Sequence, residues 1–280
     1  SFRRKLELVT REPYFPDDLP DGPLLGESPG MSASAPMDPE RKLTGQHLFT
    51  EAGKVVAGYA EKIAEAGFHK QDVNRLLEPW SWTRGVITAT ELANFFALRC
   101  DHRAYPPFRF LARCAWVALS ISVPRPVSWG TWHLPFITEQ DRAEAIDRGA
   151  AKFSDCGPQP HGFTNWAECL LARWSAARCA RVSFYHFGRS EVDYDKDDDT
   201  FQKLAGSFPL HASPLEHQAL CAKAGSVQRG FPLSNFRAPW VQHRKFLTGE
   251  NIRDYEPTAD EVRSWSVPDS VFTGDPGTDW

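Results

Sequence analysis

At 280 residues and 41% hydrophobic content, the chain can bury one substantial core or two modest ones, and it lacks the composition of a disordered protein. A formal net charge of −4 argues against a protein that wraps the nucleic-acid backbone, and leaves a small anionic ligand open. No run approaches the roughly 18 apolar residues of a membrane span and no secretory leader pattern opens the chain, so a cytoplasmic protein is expected. Six cysteines (Cys100, Cys114, Cys156, Cys169, Cys179, Cys221) include no Cys-x-x-Cys pair and read as buried reduced thiols. The first residue is Ser1 rather than Met, and we expect residues ahead of it to have been trimmed or processed.

Seven prolines between residues 13 and 39 make residues 1–47 an extended Pro/Gly-rich segment in this reading. From Leu48 the apolar residues Val55, Val56, Tyr59 and Ile63 recur at helical spacing, and Gly67 is a C-terminal stop. Thr88 and Glu91 have the spacing of a capping box ahead of Leu92, Phe95 and Phe96, which predicts a helix start there. Pro106 and Pro107 break that helix. A second apolar helix then runs through Phe108, Leu111, Ala112, Ala115, Trp116 and Leu119 until Pro124 and Pro126. Thr138 with Asp141 starts a charged helix, and Thr164 caps another through Leu170, Leu171 and Trp174 to about Arg181. Residues 190–200 read as a solvated loop or a helix start, and Pro214 as a short helical turn followed by a strand over 218–224. The pattern predicts a single α+β domain over 48–263 and a polar tail over 264–280.

Some chemistries are missing. There is no Gly-x-Gly-x-x-Gly, no phosphate-binding Gly-x-x-x-x-Gly-Lys loop, and no His-x-Glu with Pro-Cys-x-x-Cys. His211, Glu216 and His217 lie close in sequence, but no second ligand pair supports a metal, and none is expected. Other residues carry more. Arg99, His102 and Arg103 sit at i, i+3 and i+4, so on a continued helix they share one face beside an apolar stripe. That face suits an anion or a pyrimidine carbonyl, or is a plain solvated edge. Arg75 in Arg-Leu-Leu-Glu-Pro can meet a phosphate in bidentate fashion or close a helix-end salt bridge. Arg178, Arg181 and Ser183 place two guanidiniums and a hydroxyl at a helix end. Ser213-Pro-Leu-Glu216-His217 offers polar groups at what is also an ordinary helix start.

Four blocks far apart in sequence make joint sense: Thr88-Ala-Thr-Glu-Leu-Ala-Asn-Phe-Phe-Ala-Leu-Arg99, Ser175-Ala-Ala-Arg-Cys-Ala-Arg-Val-Ser183, Ser213-Pro-Leu-Glu-His217 and Trp240-Val-Gln-His-Arg244. Together they resemble the flavin-dependent thymidylate synthases, over roughly residues 70–125 and 168–250, in an order that looks circularly permuted. The resemblance implies an α+β fold with helices packed on a small antiparallel sheet, a homotetramer, and FAD sites at subunit interfaces. It implies reductive C5-methylation of a uracil nucleotide, dUMP or UMP, with methylenetetrahydrofolate giving the carbon and NADPH reducing the flavin.

By the same resemblance Arg99, His243 and Arg244 are catalytic, and Arg75, Arg99, Ser1, Arg3 and Glu250 contact the nucleotide. Asn94, His102 or Arg103, Arg178, Arg181, Ser183, His211, Ser213, Glu216 and His217 contact the flavin. The family's Arg-His-Arg signature is altered here, with Gln242 for the first arginine and Leu247 for the serine. Ser1-Phe-Arg3 resembles the tail of a second signature copy. One alternative keeps the fold and acts on dCMP. Another, of a different class, is a noncatalytic nucleic-acid binder using the stacking surfaces of ten Trp and nineteen Phe.

Overall fold

The computed structural model describes residues 2–14, 38–152, 163–182, 192–206, 210–223, 236–247, 249–250 and 256–264. Near the N-terminus, α1 (Phe2–Arg11), α2 (Pro39–Glu65) and α3 (Lys70–Leu76) pack with a 3-10 turn, Glu78–Trp80, around Val9, Ala57, Ala60, Val73, Leu77 and Trp80. Residues 1–47 are therefore not extended throughout. Phe2, Leu6 and Val9 fall on one helical face and join this core, which is enough to order α1. Pro39, read from sequence as a breaker, starts α2 instead. It follows Asp38, whose carboxylate accepts from the backbone N–H groups of Glu40 and Arg41 at 3.1 and 3.2 Å.

Gly67 does stop α2, in the left-handed region at φ +91°. The buried face of α2 differs from the expected one, for Val55 and Tyr59 are exposed while Gly53, Ala57 and Ala60 are buried. Small residues let the neighbouring groups come close. A methyl group on Gly53 would meet Trp80 Cδ1 at 2.8 Å, and the Trp80 indole N–H donates to the Phe49 carbonyl at 2.8 Å.

The next pair is α4 (Ala93–Arg99) and α5 (Pro106–Ile121), which pack on each other. The capping box at Thr88 and Glu91 does not form. Leu92 is the N-cap residue and gives no side-chain cap, because the Thr88 hydroxyl meets His217 and the Glu91 carboxylate meets Arg237. Pro106 and Pro107 occupy the first turn of α5, where a missing N–H is harmless, and they do not break the preceding helix, because α4 has already ended at Arg99.

The third group holds α6 (Glu139–Lys152), α7 (Trp166–Ala180) and α8 (Tyr194–Ala205). Thr138 and Asp141 form the expected box: the Thr138 N–H donates to the Asp141 carboxylate at 2.7 Å, and the Asp141 N–H to the Thr138 hydroxyl at 3.2 Å. Asn165, not Thr164, caps α7, since the Thr164 hydroxyl donates to the Glu168 carboxylate at 2.7 Å. α7 is buried over most of its circumference, from Cys169 to Cys179, and packs against both α6 and α8. The acidic stretch before Thr200 is a helix start with Asp193 as its cap, yet Asp197 is buried rather than solvated.

A three-stranded antiparallel sheet lies in the order β1 (Trp132–His133), β2 (Ala219–Cys221), β3 (Trp240–Gln242). Leu220 pairs with Trp132 on one side and Val241 on the other. The strand expected after Pro214 is β2, preceded by the 3-10 turn Ser213–Glu216. Helices with one small antiparallel sheet make this an α+β fold. A last short helix, α9, spans Ala259–Ser264, and most of the expected polar tail lies outside the described residues. Among the described residues no helix is long and apolar enough to cross a membrane.

Replacing Gly53 by Ala should lower stability by about 1–3 kcal/mol through overpacking against Trp80, despite the better helix propensity of Ala. The same change at Gly45 or Gly58 of α2, where an added methyl meets nothing within 4 Å, should instead raise it by up to about 1 kcal/mol. Urea denaturation of the three variants measures the opposite signs.

Candidate functional site

Three segments distant in sequence close on one open cleft of about 670 Å³. Its walls are Thr88, Thr90 and Glu91 ahead of α4, Glu216 at the end of the 3-10 turn, Gln242 at the end of β3, and Phe236 with Arg237 before β3. Long-range polar contacts fix the walls. The Thr88 hydroxyl lies 3.0 Å from His217 Nδ1, across 129 positions of sequence. The Gln242 amide donates to the Glu216 carbonyl at 3.2 Å, and the Arg237 N–H donates to the Thr90 hydroxyl at 3.1 Å. Arg237 also pairs its guanidinium with Glu91 at the exposed rim.

Beneath the cleft, Arg244 is held between Glu216 and Glu250, with its Nε 2.6 Å from Glu250, and Lys245 joins Glu250 at 2.9 Å. Burial opposes charge on Glu250, but Lys245 and Arg244 overcome it and hold its carboxyl below the usual range. Burial pushes His217 down, so its ring is a neutral partner for Thr88. Glu216, His217, Arg244 and Glu250, assigned in the sequence to flavin, catalysis and nucleotide, are thus brought close to one cleft.

Other assigned residues sit elsewhere. Arg178 is a structural residue. Its Nη1 and Nη2 donate to Asp141 at 2.8 Å each, its Nε to Asp197 at 2.9 Å, and Nη1 also to the Phe136 carbonyl at 2.7 Å. Arg181 pairs with the other oxygen of Asp197 and donates to the Ala177 carbonyl at 3.2 Å. The two guanidiniums therefore neutralise two buried carboxylates between α6, α7 and α8, and do not offer themselves to a pyrophosphate. Burial opposes ionisation of Asp141, yet the Arg178 and Thr138 hydrogen bonds win and lower its pKa to about 2.

His243 is likewise not available for chemistry within this chain. Only 2% exposed, it lies with its ring among Trp132, Phe163 and Phe201, at 5.6, 5.5 and 6.1 Å between centroids, and its Nδ1 has no hydrogen-bond partner among the described residues. Burial, with Arg173 nearby, depresses its pKa to about 3.

Asn94 and Arg99 are exposed on α4, where the Arg99 guanidinium lies 5.4 Å from the centre of the Phe108 ring, and neither lines the cleft. Arg103 is bidentate to Asp101, at 2.8 and 3.1 Å, and His102 Nδ1 is 3.6 Å from the same carboxylate. Arg75 is exposed on α3 and Arg3 on α1, both in the N-terminal helical group. His211 and Ser213 are exposed, with the His211 N–H donating to the Leu204 carbonyl at 3.1 Å. Ser1 and Ser183 lie outside the described residues.

The sequence reading missed Phe236, Arg237 and the pair Asp141 and Asp197 as organising residues. Arg237 and Glu91 are 146 positions apart, and no local pattern announces such a pair. Of the thiols, Cys169, Cys179 and Cys221 are buried as expected, whereas Cys114 is exposed and Cys100 half-buried. Burial pushes Cys179 up to about 12, which leaves no thiolate for nucleophilic work.

Arg178→Ala should destabilise the fold by about 3–5 kcal/mol, since it strands buried Asp141 and half of Asp197, and this is read as a shifted urea midpoint. Acid sensitivity follows from His243. Its folded pKa is depressed below the unfolded 6.5, so the unfolded chain takes up a proton that the folded chain refuses. Stability is complete above pH 6.5 and falls toward pH 3, by about 2 kcal/mol between pH 7.5 and 5. In a His243→Phe variant that share of the slope should vanish from denaturation curves taken at the two pH values.

Compared with known proteins, the chain matches no family model, no curated protein and no solved structure.

Proposed function

We propose that the cleft binds FAD and that the protein is a flavin-dependent enzyme that methylates C5 of a uracil nucleotide, dUMP or UMP. The observation that carries this reading is the convergence on one cleft of three sequence blocks that resemble the same family: Thr88 meets His217, and Glu216 meets both Arg244 and Gln242. The place where they meet is a polar, open cavity of ligand size.

The lining fits a flavin in part. Thr88, Thr90 and the Gln242 amide present hydroxyl and amide groups of the kind that read the edge of a planar heterocycle, and Phe236 gives a ring to stack on. The pyrophosphate is the poor match, because Arg178 and Arg181 are held by Asp141 and Asp197. Arg237 is the guanidinium on the cleft wall, and it can meet an anion by exchanging Glu91 at the solvent-exposed rim.

Bound flavin would supply the hydride, methylenetetrahydrofolate the carbon and NADPH the reducing equivalents. The chain's share is positioning and electrostatics. Arg244, clamped by Glu216 and Glu250, holds the floor rigid, and neutral His217 fixes the Thr88 hydroxyl. Arg99 and Asn94, exposed on α4, complete the site from a neighbouring subunit of a homotetramer in this reading. Two guanidiniums, Arg99 and Arg75, favour uracil over cytosine, because uracil offers two carbonyls to donors.

Flavin fluorescence titration tests the binding. The wild type should quench the flavin with micromolar affinity or better, and Gln242→Ala should weaken it about tenfold by removing a cleft hydrogen bond. No quenching at any concentration ends the flavin reading. The loaded protein is then given methylenetetrahydrofolate, NADPH and either dUMP, UMP or dCMP, with products weighed by mass spectrometry. A methylated uracil nucleotide is expected, and modification of dCMP alone overturns the base assignment.

A further inference from the structure

A second cavity, of about 240 Å³, opens where the segment ahead of β1 lies against the first turns of α6 and α7. Arg125 and Ser128 come to it from that segment, Arg142 from α6, and Glu168 and Leu171 from α7. None of its lining residues lines the larger cleft. The segment is fastened in place. Pro124 and Pro126 restrict the backbone on both sides of Arg125, and the Gly130 N–H donates to the Cys221 carbonyl of β2 at 2.8 Å. Thr131 closes the turn, its N–H and its hydroxyl both donating to the Ser128 carbonyl, at 3.1 and 2.6 Å.

Three donors here have capacity to spare. Arg125 is exposed and makes no hydrogen bond or ion pair among the described residues, and the Ser128 hydroxyl likewise has no partner among them. The Nε of Arg142 is buried without a hydrogen-bond partner among the described residues, for Glu139, 85% exposed, forms only an ion pair with it at 3.4 Å. Leaving a buried guanidinium N–H without an acceptor is costly. Two guanidiniums on the wall of one cavity present the forked donors that take a carboxylate or a phosphate.

Charge and size choose between the two. Two guanidiniums against Glu168 leave the lining one positive charge in excess, which a carboxylate matches. A phosphate close to two negative charges, set beside Glu168, exceeds it. Trp132, Leu134 and Leu171 make the other walls apolar, so the anionic head needs a hydrocarbon body behind it. At about 240 Å³ the cavity is smaller than the roughly 300–1,000 Å³ of sites for drug-sized ligands, and that body is only a few carbons long. We propose that this cavity binds a small aliphatic monocarboxylate, its carboxylate held between Arg125 and Arg142 and its chain against Leu134 and Leu171. The site does not rest on the flavin reading.

Calorimetric titration of the full chain with isovalerate, in chloride buffer of constant ionic strength, should show one site per chain with a millimolar or tighter dissociation constant. Isovaleramide, the neutral isostere, should bind about tenfold or more weakly, and so should isovalerate to Arg125→Gln and to Arg142→Gln. Arg125 is exposed and unpaired among the described residues, so its variant should keep the far-ultraviolet circular dichroism spectrum even if Arg142→Gln does not. No saturable binding of isovalerate overturns the proposal, as does equal binding of the amide or undiminished binding by Arg125→Gln. Inorganic phosphate that binds more tightly than isovalerate overturns the charge match and the carboxylate with it. Leucine separates two sources of the same head. Binding tighter than isovalerate, with the gain lost in Glu168→Gln, identifies an amino acid whose ammonium meets Glu168, and weaker binding identifies a simple acid.

Discussion

The fold turns on Arg178. Its guanidinium is shared by Asp141 from α6 and Asp197 from α8, and it reaches both from α7, so one side chain ties three helices. Bringing these carboxylates out of water is tolerable only because each oxygen finds a donor: Asp141 also receives Thr138, and Asp197 also receives Arg181. The quartet is electrically neutral. It sets the register of α7, and α7 in turn supports the sheet side of the cleft through Ser175, whose hydroxyl donates to the Pro135 carbonyl at 2.8 Å and lies 3.1 Å from the Gln218 amide.

The cleft hangs on that support without belonging to the core. Gln218 is fully buried next to His217, and its carbonyl accepts from the His243 N–H at 2.9 Å, which closes the chain from the 3-10 turn to the end of β3. Two consecutive residues, His243 and Arg244, then part company. One ring enters the aromatic cluster, and the adjacent guanidinium turns to the carboxylates of Glu216 and Glu250. Neighbours in sequence thus perform opposite tasks, packing and ion pairing, because they lie on opposite sides of one turn.

Local patterns were legible where the physics is local. The Thr138 and Asp141 box, the Gly67 stop, the apolar run of α5 and the short turn before β2 all follow from residues within a few positions of one another. Errors arose where a distant partner outbid a local one. Thr88 and Glu91 have capping-box spacing, but His217 and Arg237 take them; Arg178 and Arg181 have the form of an anion site, but carry their anions within the chain. Pro39 misled for a different reason, since a proline that ends a helix from inside is welcome just after its cap. Glu216, Arg244 and Glu250 were linked in the sequence only by a resemblance, and spacing alone gives no sign that they pair with one another in the fold.

The three largest buried clusters differ in one optical respect. Trp80 lies in the N-terminal helical core, Trp132 beneath the sheet among Phe163 and Leu220, and Trp174 between α7 and α8, where its indole N–H donates to Asp198 at 3.2 Å. Each indole therefore sits in its own electrostatic setting: Trp80 beside a carbonyl, Trp132 stacked at 4.6 Å on Phe163, Trp174 beside a carboxylate. Ten tryptophans share the emission of the folded chain, so a variant that keeps only one of these three buried indoles would report the melting of its own core by its own colour.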